Sequence, residues 1–145
     1  MEQLTIIQNS VRIGSLQHII PIVVAIIITI WSINYSSNKL NKAQQQKFIH
    51  FFACFISLCV ICFHLYRICF DGYNFKTDLP LYLCSLMALL IPVLTYYRKY
   101  WMFEVLVFLV IGGTLQAVIT PDITTGFPSF DYFRYWIAHL GLLII

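Results

Sequence analysis

The chain has 145 residues, of which 60% are hydrophobic and only 10% charged, and its mean hydropathy is +0.81. An ordinary soluble domain is about one quarter charged, so this composition excludes a water-covered globular domain and predicts an all-α, polytopic transmembrane helix bundle. The net charge of +3 is too small to suggest nucleic acid, and the few cations flank apolar runs, as they do when they set membrane orientation.

About five spans of roughly 20 residues fit the length, in one transmembrane domain over residues 1–145. Residues 1–11 carry no cationic cluster and no small-x-small cleavage site follows, so the first apolar run reads as a retained span, residues 14–35. A polar linker, residues 36–47, holds Lys39, Lys42 and Lys47. The second span covers residues 48–70 and contains Cys54, Cys59, Cys62 and Cys69, which read as small buried hydrophobes. A loop with Asp71, Lys76 and Asp78 leads to the third span, residues 80–97. Arg98-Lys99 joins it to the fourth, residues 101–119. The fifth, residues 132–145, is still apolar at Ile145. It supplies about 21 Å of helix against a hydrocarbon core of about 30 Å, so the expectation is a chain truncated at its C-terminus.

The positive-inside rule places the N-terminus outside, with the Lys39–Lys47 linker and Arg98-Lys99 inside the cell membrane. Pro21 and Pro80 fall near span starts, where a missing N–H costs little. Pro92 is mid-span and predicts a kink that strips the Ala88 carbonyl of its helical partner. Gly112-Gly113 permits close approach of a neighbouring helix.

Polar groups at membrane depth raise a functional question. Ser15, Gln17, His18, His64, Arg67, Cys84, Ser85, Gln116, Arg134 and His139 all fall toward the predicted outer face, while His50 and Glu104 lie toward the inner one. Arg67 and Arg134 can also be read as snorkelling boundary cations. His139 lies about eight residues into its span, roughly 12 Å deep. Cys84 and His139 form the sharpest chemical pairing, because a thiol becomes a strong nucleophile when an imidazole takes its proton. The alternative is a structural histidine in a polar core. Convergence of His18, His64, His139 and Cys84 on zinc competes with both, but no pair has the spacing of a metal motif. His50 and Cys54 share a helix face, and Cys59-x-x-Cys62 is a helical CxxC in an apolar run; neither is a strong metal signal. The stretch Thr120–Phe130 reads either as a lid over the outer mouth or as a surface loop with interfacial aromatics.

Several motifs occur in a telling order. They are Gly14-Ser15-Leu16-Gln17-His18, Leu79-Pro80-Leu81-Tyr82-Leu83-Cys84-Ser85-Leu86, and Gly112-Gly113-Thr114-Leu115-Gln116-Ala117 leading into Thr120-Pro121-Asp122. Gly126-Phe127-Pro128 and Phe133 to His139 follow. From Gly14 to His139 the chain resembles YwaF-type bacterial integral membrane proteins, which are similar to the eukaryotic transmembrane protein 164 family. The resemblance implies six to seven helices in a complete member. It also implies lipid acyl transfer with Cys84 as nucleophile and His139 as base. Tyr82 stands where a histidine is common, and His139 is single where relatives often show a pair.

The sequence reading is therefore a membrane enzyme, a lipid acyltransferase or acyl hydrolase working near the outer leaflet. His18, Gln116, Arg67, Arg134 and Asp122 are the expected oxyanion or phosphate partners. Membrane lipid is the implied partner, with no cofactor and no metal. The alternative is a transporter or small-molecule binding protein with an outward-facing polar pocket.

Overall fold

A computed structural model describes residues 10–70, 83–123 and 125–145. The expected Asp71–Leu79 loop, Pro80 and Tyr82 lie outside the described residues. All described regular structure is helical. The elements are α1 (Leu16–Lys39), α2 (Lys42–Phe70), α3 (Leu83–Tyr97), α4 (Tyr100–Leu109), a π-helical turn (Val110–Thr114), α5 (Leu115–Ile119) and α6 (Phe130–Ile144).

The expectation of five spans is corrected to three. Among the described residues, three helical runs are long and apolar enough to cross a membrane: Leu16–Lys39, Lys42–Phe70 and the continuous Tyr100–Ile119. Over the described residues α3 and α6 run for 15 residues each, about 22 Å.

The polar linker between the first two spans is also corrected, because it is almost entirely helix. Only Leu40 and Asn41 separate α1 from α2. Asn41 Oδ1 accepts from the Gln44 N–H at 2.9 Å, and the Asn41 N–H donates to Gln44 Oε1 at 3.0 Å. This reciprocal capping satisfies two donors at the helix start, so α2 begins six residues before the apolar run does. The Gln45 amide then donates back to the Ser36 and Leu40 carbonyls, which ties the two helices at this end.

Two apolar clusters hold the bundle. One joins α2, α3, the π-turn and α6 through Ala53, Ile56, Val60, Met87, Ala88, Ile91, Val110, Ala138 and Leu142. The other joins α1, α5 and α6 through Ala25, Val118, Tyr132, Trp136 and Leu140, with Val11 and Ile123 from the flanking segments. Helix α6 contributes to both. Its residues 132, 136 and 140 recur at four-residue spacing on one face, and 138 and 142 lie on another. Helix α6 is thus enclosed on two faces. Helix α1, by contrast, buries only His18 and Ala25. Its exposed isoleucines and valines face a phase as apolar as they are.

Close helix approach occurs where the sequence did not advertise it. A Cβ at Gly112 would meet nothing within 4 Å, and one at Gly113 would lie 3.4 Å from Leu83 Cδ2. A Cβ at Gly141 would fall 2.7 Å from Ile56 Cδ1, so the α2–α6 contact depends on that glycine. At the α3–α4 junction Arg98 takes φ 51°, and its N–H bonds to the Leu94 carbonyl at 3.0 Å. This is a left-handed helix cap on a residue other than glycine.

Candidate functional site: the polar end of the bundle

The sequence expectation gathers polar residues toward one end of the bundle. The start of α1, the end of α2, α5 and the first half of α6 meet there. Phe63 stacks on Phe130 at 5.0 Å, and His18 stacks on Trp136 at 5.8 Å.

Much of this polarity caps the end of α5. The last carbonyls of a helix lack intrahelical partners, and here three of them are met by side chains. The Gln116 carbonyl receives Thr120 Oγ1–H at 2.9 Å. The Ala117 carbonyl receives the Tyr135 hydroxyl at 2.8 Å. The Val118 carbonyl lies 2.8 Å from His18 Nε2. His18 Nδ1 accepts from the Gly14 N–H at 2.9 Å, so the proton sits on Nε2 and His18 donates to Val118. Both ring nitrogens are therefore committed to backbone, and His18 is a pin between α1 and α5. Gly14 reaches this bond with φ 79°, a conformation that glycine adopts without a steric penalty.

The segment after α5 is also held to α1. Phe127 N–H donates to Gln17 Oε1 at 3.3 Å, and Val11 N–H donates to the Ile123 carbonyl at 3.2 Å. Ser129 caps α6 by accepting from the Tyr132 N–H at 3.2 Å. The Phe127–Pro128 peptide is cis. The stretch that sequence left open as lid or surface loop is thus strapped across the start of α1.

The remaining expected partners fall as follows. The Gln116 side-chain amide donates to Thr120 Oγ1 at 3.1 Å on the exposed surface. Asp122 is exposed. The Arg134 guanidinium lies 4.5 Å over the Phe63 ring, with Asp131 3.8 Å away. Arg67 is half-buried one turn further along α2 than Phe63.

Cys84 and His139 each have a defined partner, but no hydrogen bond joins them among the described residues. Thr114 Oγ1 donates to Cys84 Sγ at 3.7 Å. Thr114 is only 2% exposed and closes the π-turn, a helix irregularity that commonly marks functional sites. His139 Nδ1 lies 2.7 Å from the Tyr135 carbonyl, to which it must donate. That fixes the tautomer and leaves Nε2 as the basic nitrogen, with no hydrogen-bond partner among the described residues. Cys84 packs on the cluster that contains Ala138, the residue before His139. Thr114, Tyr132 and Tyr135 carry roles that residue type alone did not assign, although Thr114 and Tyr135 lie within the quoted motifs.

Among the described residues no three His, Cys, Asp or Glu side chains gather as a metal site, so the considered convergence of His18, His64, His139 and Cys84 does not form. No curated protein and no solved structure matches the chain. The glycine turn before His18, the Gly-Gly-Thr π-turn and the single histidine on α6 all lie within residues 13–145, which match the profile of the TMEM164 family, and the chain belongs to that family.

Proposed function

We propose that the chain is an enzyme of lipid acyl transfer or acyl hydrolysis, of the YwaF type within its family, with Cys84 as nucleophile and His139 as general base. The observation that carries this is the state of the two groups. The Cys84 sulfur sits against the buried Thr114 hydroxyl, and the His139 ring is oriented by Tyr135 with Nε2 left basic. An imidazole held in one tautomer by a backbone carbonyl is ready to take a thiol proton. The attacking sulfur would form an acyl-thioester, which water or a second lipid then opens. Movement of α3 against α6 must bring the two groups together, since catalytic hydrogen bonds often tighten only once substrate is bound.

Arg67 and Arg134 would hold the phosphate of a lipid headgroup, and Gln116 and Asp122 would line the approach. His18 would act indirectly by fixing the end of α5. The lysine-bearing α1–α2 junction and Arg98-Lys99 lie at the other end of the bundle. With these inside, the site faces the outer leaflet and the N-terminus is outside.

An activity-based acyl probe tests the reading. Cys84→Ala abolishes covalent labelling, and His139→Ala lowers it on the order of 100-fold. Full labelling of both variants would sink the proposal. Solute flux in proteoliposomes without any acyl intermediate would instead favour an outward-facing binding or transport protein.

A further inference from the structure

A second thiol–imidazole pair lies at the opposite end of the bundle, and it is better formed than the first. Cys54 Sγ is 3.6 Å from His50 Nε2. His50 Nδ1 is 2.9 Å from Thr95 Oγ1 on α3. Thr95 Oγ1 in turn lies 3.0 Å from the carbonyls of both Ile91 and Pro92.

The proton inventory gives this chain a direction. The Thr95 hydroxyl proton is within reach of the Ile91 and Pro92 carbonyls, which only accept. With the proton there, the Thr95 oxygen accepts from His50, in the tautomer that carries the imidazole proton on Nδ1. Nε2 is left unprotonated and facing the Cys54 thiol. A thiol, an imidazole base and a third group that orients the base is the general arrangement of an activated nucleophile. Here the orienting group is Thr95, a positioning residue anchored to the backbone of another helix.

The surroundings select the electrophile. Cys54 is exposed on an apolar stretch of α2, so the group it meets is carried in lipid. Lys47, seven residues before it, lies on the same helical face. Arg98 and Lys99 also lie at this end, in the wall of a mostly apolar cavity of about 600 Å³ that Thr95 and Gln46 line but His50 and Cys54 do not. Gln46, His50 and Cys54 follow one another at four-residue spacing along α2. An acyl chain on Cys54 would lie along the exposed apolar face of α2, and a polyanionic leaving group fits the cations.

The geometry points to Cys54 as a second acylation site, which takes a fatty-acyl group from an acyl-thioester of coenzyme A type. The Cys54 sulfur bonds to the acyl carbon as the donor's carbon–sulfur bond breaks. The Cys54 proton passes to His50 Nε2 and from there to the departing thiolate, so one thioester replaces another. This inference does not depend on Cys84.

Full-length protein in lipid nanodiscs, incubated with palmitoyl-coenzyme A and mapped by peptide mass spectrometry, provides the test. A hydroxylamine-sensitive palmitoyl group is expected on Cys54 well ahead of Cys62 and Cys69, which are exposed on the same helix and have no such hydrogen-bonded base among the described residues. His50→Asn slows Cys54 acylation on the order of 100-fold. Thr95→Val also slows it, and Thr95→Ser restores it. Equal acylation of Cys54, Cys62 and Cys69 in the unaltered protein overturns the inference without relying on any variant. Acyl transfer mapped to Cys84 alone overturns it too, while leaving the first site standing.

Discussion

The Tyr132 hydroxyl donates to the Gln17 carbonyl at 2.7 Å, and Pro21 is the reason that carbonyl is available. In a regular helix Gln17 would receive the N–H of residue 21, four places on. Proline has none to give. The sequence puts Pro21 near a span start, where a missing N–H costs little, and in the structure it is the sixth residue of α1. A tyrosine from α6 fills the position instead and joins the two helices by doing so.

Tyr132→Phe should therefore destabilise the bundle by roughly 0.5–1.5 kcal/mol, the net worth of one part-buried hydrogen bond. Adding Pro21→Ala should recover part of that loss, because the new N–H can reach Gln17. A double-mutant cycle by thermal unfolding in detergent reads the coupling. Additive effects of the two substitutions would contradict the account.

His18→Phe keeps an aromatic ring against Trp136 but removes both backbone bonds. The expected cost is roughly 1–3 kcal/mol from the orphaned Val118 carbonyl alone. Hydrogen exchange should show faster opening at the start of α1 and at residues 118–123, with little change at the α1–α2 junction. A uniform change along the chain would mean that His18 is not a local pin.

Gly141→Ala should cost roughly 1–3 kcal/mol, because the new methyl overlaps a buried Ile56 side chain. Ile56→Val in the same background should relieve part of it. Gly112→Ala, which faces open space, should be tolerated. Melting temperatures of the four proteins check the contrast.

Thr114→Val preserves shape but removes the hydroxyl that donates to Cys84. Acyl-probe labelling of Cys84 should fall about tenfold, equivalent to one lost hydrogen bond. Thr114→Ser should retain it. Unchanged labelling of the valine variant would detach Thr114 from the chemistry.

Membrane class and family were legible because both depend on composition and on the order of motifs. The span count was not, because apolar stretches alone do not give the length of helix within them, and three runs among the described residues are long and apolar enough to cross. Helix α6 is central, and that follows from tertiary packing on two faces, which hydropathy does not report. The site was legible as residue types but not as bonds. His18 and Gln116 looked like ligand-binding groups, yet one caps Val118 and the other holds Thr120. The Asn41–Gln44 cap is present in the letters, but the surrounding lysines give the stretch the composition of a linker. His50 and Cys54 were visible as a pair on one face. What gives them direction is Thr95, 45 residues away, and no local pattern connects the two.

Arg98 holds a left-handed backbone at the junction of two membrane helices, where glycine would sit without strain. Such a conformation costs an ordinary residue roughly 1–2 kcal/mol. Arg98→Gly should therefore raise thermal stability, yet it would remove one of the two cations that mark this junction. The turn thus sets two demands against each other, backbone comfort and a charge that tells the inserting chain which way to lie. Across variants of this position, the most stable fold and the most uniformly oriented one should be different proteins.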